Sequence, residues 1–168
     1  MKRTLLLLAL VVLSYSISIA QQTGSIVGTW KLLSYIDTPE NGTPVHPWGR
    51  KPSGLLIYDD TGHMAVQIQR TPIDKRVIKA SASLKQADKI DLLGDYTAYF
   101  GKYSIDWQRM IVTHHVEGNL FPVYIGTNQE KNFEVAGDRL TLKVSWTEGG
   151  NHWAGVRLFS RIRVQKGN

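Results

Sequence analysis

Two adjacent histidines and a glutamate, His114-His115-x-Glu117, stand inside the otherwise apolar run from Met110 to Gly126. Imidazole and carboxylate are the side chains that move protons near neutral pH and that ligate divalent metals. Three chemistries are therefore open: a metal site, an acid–base pair, or a polar anchor in an apolar pocket. The run reads as a strand, and neighbours on a strand point to opposite faces. His114 and His115 cannot then readily hold one ion together. His115 and Glu117 share one face, and His114 shares the other with Met110, Val112 and Val116. The apolar pattern turns the second face inward, which puts His114 inside and His115 with Glu117 outside. In the opposite register His115 and Glu117 face the interior. A carboxylate would then raise the imidazole pKa and fix its tautomer, as an enolising isomerase or cyclase requires. His114, His115 and Glu117 are the catalytic candidates on these grounds.

Other catalytic patterns are absent. His46, His63 and His152 are dispersed, with no two-histidine-plus-carboxylate spacing, so neither a metal nor a cofactor is expected. The chain has no cysteine, which removes thiolate ligands, cysteine nucleophiles and disulfides. It holds no Gly-x-Ser-x-Gly elbow and no phosphate-cradling glycine loop. Asp37, Asp59, Asp60 and Asp106 fall at strand ends, where turn formation accounts for them. The formal charge of +6 is scattered without a basic run, which reads as a solvated surface and not as a nucleic-acid footprint.

The elements that must carry these residues are mostly strands. Gly28 to Thr38 opens the series, and Pro39-Glu-Asn-Gly42 ends it with turn chemistry. Pro44 to Pro52 is a loop. Ser53 to Tyr58 and His63 to Gln69 form a hairpin about Asp59-Asp60-Thr61-Gly62. Helix formers dominate Thr71 to Leu93. Leu84, Ala87, Ile90 and Leu93 make an approximate helical stripe that Gly94 ends, which predicts one short helix. Strands follow at Tyr96 to Asp106, Arg109 to Gly118, Tyr124 to Val135, Arg139 to Trp146 and His152 to Val164. An open sheet of eight strands would leave two edges exposed, and closure into an up-and-down barrel removes them. A β-sandwich is the alternative. A barrel of that size has room for side chains or for one small ligand.

The N-terminus reads as a targeting segment. Met1-Lys2-Arg3 is basic, Thr4 to Leu13 is apolar, and Ser18-Ile19-Ala20 fits a small-x-small cleavage rule. Cleavage after Ala20 gives residues 1–20 as signal peptide and 21–168 as one domain, in the periplasm or outside the cell. Losing Lys2 and Arg3 takes the charge of +6 down by 2, to +4.

Gly28-Thr29-Trp30 at the start of the first strand resembles the Gly-x-Trp signature of lipocalins. Further motifs follow: Pro52-x-Gly54-x-Leu56-Ile-Tyr58, Asp60-x-Gly62-x-Met64, Tyr99-x-Gly101-x-Tyr103, His114-His115-Val116-Glu117, Leu120-Phe121-Pro122, Gly126-Thr127 and Gly137-Asp138-Arg139-Leu140-x-Leu142. Together, from about Ile26 to Ile162, they look like the lipocalin-like domain family of small bacterial and fungal proteins. The resemblance implies an all-β fold: an eight-stranded antiparallel up-and-down lipocalin-like barrel. It implies little about chemistry. It also implies that a late basic residue, Arg161 with Arg157 as the alternative, packs across Trp30 and closes the barrel base.

Tyr58, Met64, Tyr99, Tyr103, Tyr124 and Trp146 then become candidate lining residues beside His114, in a pocket mostly apolar with a few hydroxyls. Three functions remain. The first is an exported protein binding a small hydrophobic or amphipathic ligand, without nucleic-acid or membrane partners, as a monomer or weak homodimer. The second is a cofactor-free isomerase or cyclase using a histidine. The third is a filled barrel acting through its surface.

Overall fold

The structure is a computed structural model that describes residues 25–73 and 92–163, with the backbone alone at Leu92 and Leu93. The segment read as a signal peptide and most of the predicted helix, up to Asp91, lie outside the described residues. Eight strands pair in chain order and close on themselves: β1 (Gly28–Pro39), β2 (Ser53–Tyr58), β3 (His63–Gln69), β4 (Tyr96–Asp106), β5 (Ile111–Asn119), β6 (Asn128–Ala136), β7 (Arg139–Glu148) and β8 (Asn151–Arg161). Every pairing is antiparallel, and β1 pairs with both β2 and β8. The fold is the expected closed barrel and not a sandwich. The sheet closes with no free end strand, so a chain without disulfides holds its shape through pairing and a core.

One end of the barrel is short-looped and packed shut. The β2–β3, β4–β5 and β6–β7 turns lie there, together with the chain entering β1. Trp30 is fully buried on this floor among Ile26, Leu32, Leu56, Leu140 and Phe159. Its indole Nε1–H donates to the Ile26 carbonyl at 2.8 Å. Arg161 pairs across from Trp30, and its guanidinium carbon sits 4.0 Å above the ring. The same guanidinium donates to the Val27 and Ser25 carbonyls at 2.6 Å each. Gly28, at φ +142°, leaves the room, because a Cβ there would lie 2.5 Å from Arg161 Nη1.

Two one-residue bulges decide what points inward above this floor. In β1, Trp30 and Leu32 are buried, and the register against β8 then slips between Leu32 and Ser34. The extra residue, Leu33, reverses the alternation, so Tyr35 and Asp37 face the interior in place of Ser34 and Ile36. In β5, Val112, His114 and Val116 are buried. Glu117 is the extra residue opposite the Phe100–Gly101 step, and Asn119 thereby faces in. Gly101 allows the close approach there, since a Cβ would run into the His115 carbonyl. Outside, the Phe100 ring covers Gly118.

Two expectations are corrected by the backbone. The sixth strand begins at Asn128 and not at Tyr124: Pro122–Tyr124 is a turn of 3₁₀ helix, Pro122 has no N–H to pair, and Gly126 takes φ +82°. Asp37 is not a turn residue. The bulge carries it into the barrel, where it is 8% exposed.

Candidate functional site

Above the floor lies a cavity of about 810 Å³. Leu56, Val66, Ile68, Leu142, Val144 and Phe159 give it apolar walls, and Trp48, Phe121, Tyr124 and Trp146 stand toward its mouth. Several polar side chains sit one inward position above buried apolar residues of their own strands. His114 follows Val112 and Lys131 precedes Phe133; Arg157 precedes Phe159, and Tyr35 follows the bulge after Leu32. Tyr99, from β4, belongs to the same level. The result is a partial polar ring on an apolar floor.

His114 is fully buried, and both of its ring nitrogens are engaged. The Tyr58 hydroxyl lies 2.6 Å from Nε2 and the Tyr99 hydroxyl 3.0 Å from Nδ1. Burial, with Lys131 and His115 adding to it, holds the imidazole well below the ordinary histidine range. The ring is neutral, with one N–H to give and one lone pair to offer. Tyr58 is itself buried, and His114 is its sole hydrogen-bond partner among the described residues. A buried O–H that donated to nothing would cost about 1–3 kcal/mol. Tyr58 therefore donates to Nε2, and the proton sits on Nδ1. Nδ1–H donates to Tyr99, whose own O–H is left to point into the cavity. Burial pushes both phenols up, with Tyr99 and then Tyr103 adding to Tyr58, so both keep their protons.

The second cluster is Tyr35, Asp37 and Arg157. The Arg157 guanidinium lies 3.3 Å from the Tyr35 ring centre and 2.7 Å from Asp37 Oδ1. Arg157 Nη1 donates to the Ile36 carbonyl at 2.8 Å, and Asp37 Oδ1 receives no aligned N–H. The contact is charge against charge without a well-directed bond. Burial accordingly outweighs the arginine and raises the Asp37 pKa. Gly155 leaves space for the guanidinium, since a Cβ there would lie 2.6 Å from Nη1.

Lys131 is the remaining cation of the cavity wall. Its Nζ donates to Gln129 Oε1 at 3.2 Å, and no carboxylate among the described residues lies within ion-pair distance of it. Burial, with help from Arg157, pushes its pKa down to about 8. At neutral pH it stays largely protonated. Arg157 is offset by Asp37, whereas Lys131 forms no ion pair with any described carboxylate, Glu130 of the cavity edge included.

The expected site residues divide. His114, Tyr99, Tyr124 and Trp146 line the cavity; Tyr124 does so from the 3₁₀ turn, half exposed. Tyr58 and Met64 are buried lower in the core, and the Tyr103 hydroxyl donates to the Asp59 carbonyl at 2.7 Å. None of these three lines the cavity. His115 and Glu117 lie on the outer face and do not meet. His115 bonds Ser104 Oγ at 2.9 Å and Asn128 Oδ1 at 2.8 Å, and Glu117 lies 3.8 Å from Lys102. A buried His115–Glu117 couple does not form. Among the described residues no three of histidine, aspartate and glutamate gather as a metal-ligand set. Lys131, Tyr35 and Trp48 were not singled out from sequence, and Arg157 only as a substitute for Arg161. The strict alternation of Asn128 to Ala136 was the signal that would have turned Lys131 inward with Gln129 and Phe133.

No curated protein matches the chain. Among solved structures, a polyisoprenoid binding domain from Saccharophagus degradans implicated in plant cell wall breakdown aligns at 10% identity. The alignment covers 81% of this chain and 99% of that one, with a TM-score of 0.37. The family model described as a lipocalin-like domain matches residues 27–162. That span runs from the strand that carries Trp30 to the residue after Arg161, and the chain belongs to the lipocalin-like domain family.

Proposed function

We propose that this is an exported binding protein, periplasmic or secreted, that holds a small hydrophobic or amphipathic molecule in the barrel. The cavity carries the reading. At about 810 Å³ it falls within the size of small-molecule sites, with apolar walls and a few convergent polar groups. A barrel filled by its own side chains and acting through its surface would have no need of such a space. The polar anchor differs from the expected one. His114 spends both nitrogens on tyrosines, so the group offered to the ligand is the Tyr99 hydroxyl that His114 orients. Native mass spectrometry of the protein recovered from the periplasm tests this. The expected spectrum shows a co-purified ligand or uptake of a neutral lipophilic probe such as N-phenyl-1-naphthylamine. A ligand-free protein that ignores the probe would overturn the reading. N-terminal sequencing of the exported protein should begin at Gln21.

A second reading, a cofactor-free isomerase or cyclase, is favoured by the Tyr58–His114–Tyr99 chain, which ends in a phenol facing the cavity. Tyr99 would be the proton donor and His114 its positioning residue. Conversion of a co-purified ligand to a product of equal mass but changed retention time, lost in Tyr99→Phe, would establish it.

A further inference from the structure

We propose that the ligand is an amphipathic monoanion bound head-down, its carboxylate held by Lys131 Nζ and the Tyr99 hydroxyl and its apolar part running toward the aromatic mouth. The inference rests on the binding reading above and names the substrate class. Charge balance in the cavity is its first support. The wall holds two cations and one buried anion, and Asp37 faces Arg157 at 2.7 Å. Glu130 also borders the cavity, at the level of Thr113, but is exposed. One positive charge is left over, at Lys131, bonded only to the neutral Gln129 amide. Lys131 is partly buried, and a partly desolvated charge without a partner carries a cost that a ligand of opposite charge recovers on binding. A single surplus charge suits a monoanion better than a dianion.

The second support is the donor inventory. The tautomer imposed by Tyr58 leaves Tyr99 with a free O–H, and Lys131 has N–H groups beyond the one given to Gln129. Both sites are donors, so the matching head is an acceptor with two oxygens. The third is polarity along the barrel. The donors lie just above the apolar floor, and the path from them to the mouth passes Ile68 and Val144 to Trp48, Phe121 and Trp146. A head at the bottom with an apolar tail above it matches that order.

Displacement of N-phenyl-1-naphthylamine from the purified full-length protein by dodecanoate, dodecanol and dodecylamine decides the matter. Dodecanoate should displace the probe at least tenfold more effectively than dodecanol at pH 7, and dodecylamine should be the weakest. In Lys131→Met the carboxylate-to-alcohol ratio should fall to within about threefold of unity, with Lys131→Gln as the second variant should the first not fold. Raising the pH above 8 should erode the ratio in the wild type. The titratable and charged groups that line the cavity with Lys131 are His114, Tyr99, Tyr35, Tyr124, Arg157 with Asp37, and the exposed Glu130. Lys131, with its pKa pushed down to about 8, loses its charge in that range. Equal displacement by alcohol and carboxylate, or a ratio that survives both substitutions, would overturn this inference and leave the binding reading standing. Displacement by none of the three would overturn both.

Discussion

Tyr58 and His114 are 56 positions apart in the chain and 2.6 Å apart in the barrel, and the phenol fixes which imidazole nitrogen carries the proton. β2 and β5 are not neighbours in the sheet, so the bond spans the barrel interior. A group that cannot be satisfied in any other way has set the tautomer of a group that faces the cavity.

Nitrogen NMR of His114 should show the Nδ1–H form, with Nε2 as a pure acceptor. Tyr58→Phe removes the only donor to Nε2 and should cost about 1–3 kcal/mol. It should also let the proton migrate to Nε2. An unchanged tautomer in that variant would disprove the derivation.

Acid should weaken the fold through His114. Its folded pKa lies well below the 6.5 of an exposed histidine, so below pH 6.5 the unfolded chain takes up a proton that the folded one refuses. Stability should then fall by up to about 1.4 kcal/mol per pH unit from this group alone. Asp37 acts in the opposite sense, since its raised pKa favours proton uptake by the fold. His114→Gln keeps a donor and an acceptor but does not titrate. Urea unfolding at pH 7 and pH 5 should show a smaller loss in that variant than in the wild type.

Alkali should do the reverse through Lys131. Its pKa is about 8 in the fold against 10.5 in the open chain. Between those values the unfolded state holds a proton that the folded state has released, so stability rises with pH. The full penalty of burying the charge stands below pH 8. A gain of about 1–2 kcal/mol from pH 8 to pH 10 is expected, before tyrosine ionisation reverses it. Lys131→Met should be more stable than the wild type at pH 7 and should lack the rise. Parallel pH curves for the two proteins would count against it.

The closed end should depend on Arg161. Arg161→Ala loses the contact over Trp30 and two carbonyl acceptors, for about 1–3 kcal/mol. Arg161→Lys keeps the charge but not the fork, so it should recover only part of that. Indole fluorescence and thermal melts read both effects. Equal stability of the lysine variant and the wild type would show that charge alone matters there.

Much of the fold was legible because period-two patterns and turn dipeptides are local. β2, β3 and β4 run between the residues that alternation and turn chemistry predict. Tyr124 and Ile125 misled because an aromatic beside a β-branched residue suits a strand, whereas Tyr124 ends a 3₁₀ turn that begins at Pro122 and Gly126 takes a positive φ. The inward direction of His114 followed from its apolar neighbours. Its two tyrosine partners did not, because they come from β2 and β4, far away in sequence. Asp37 and Tyr35 were illegible for another reason. Their direction depends on an extra residue at Leu33, and nothing in the composition of β1 marks it.

That bulge makes the cavity wall a matter of counting as much as of chemistry. Tyr35, Asp37 and the Arg157 they hold face inward because the bulge absorbs the one residue that the strand carries beyond its partner. Removing Leu33 would change no polar side chain in the wall. It would leave a strand that alternates without interruption, Leu32 inward, Ser34 outward, and Tyr35 and Asp37 still inward opposite Arg157 and Gly155. The bulge therefore acts as a spacer: one residue can be gained or lost at Leu33 while Tyr35, Asp37 and the Arg157 they hold keep their places in the wall.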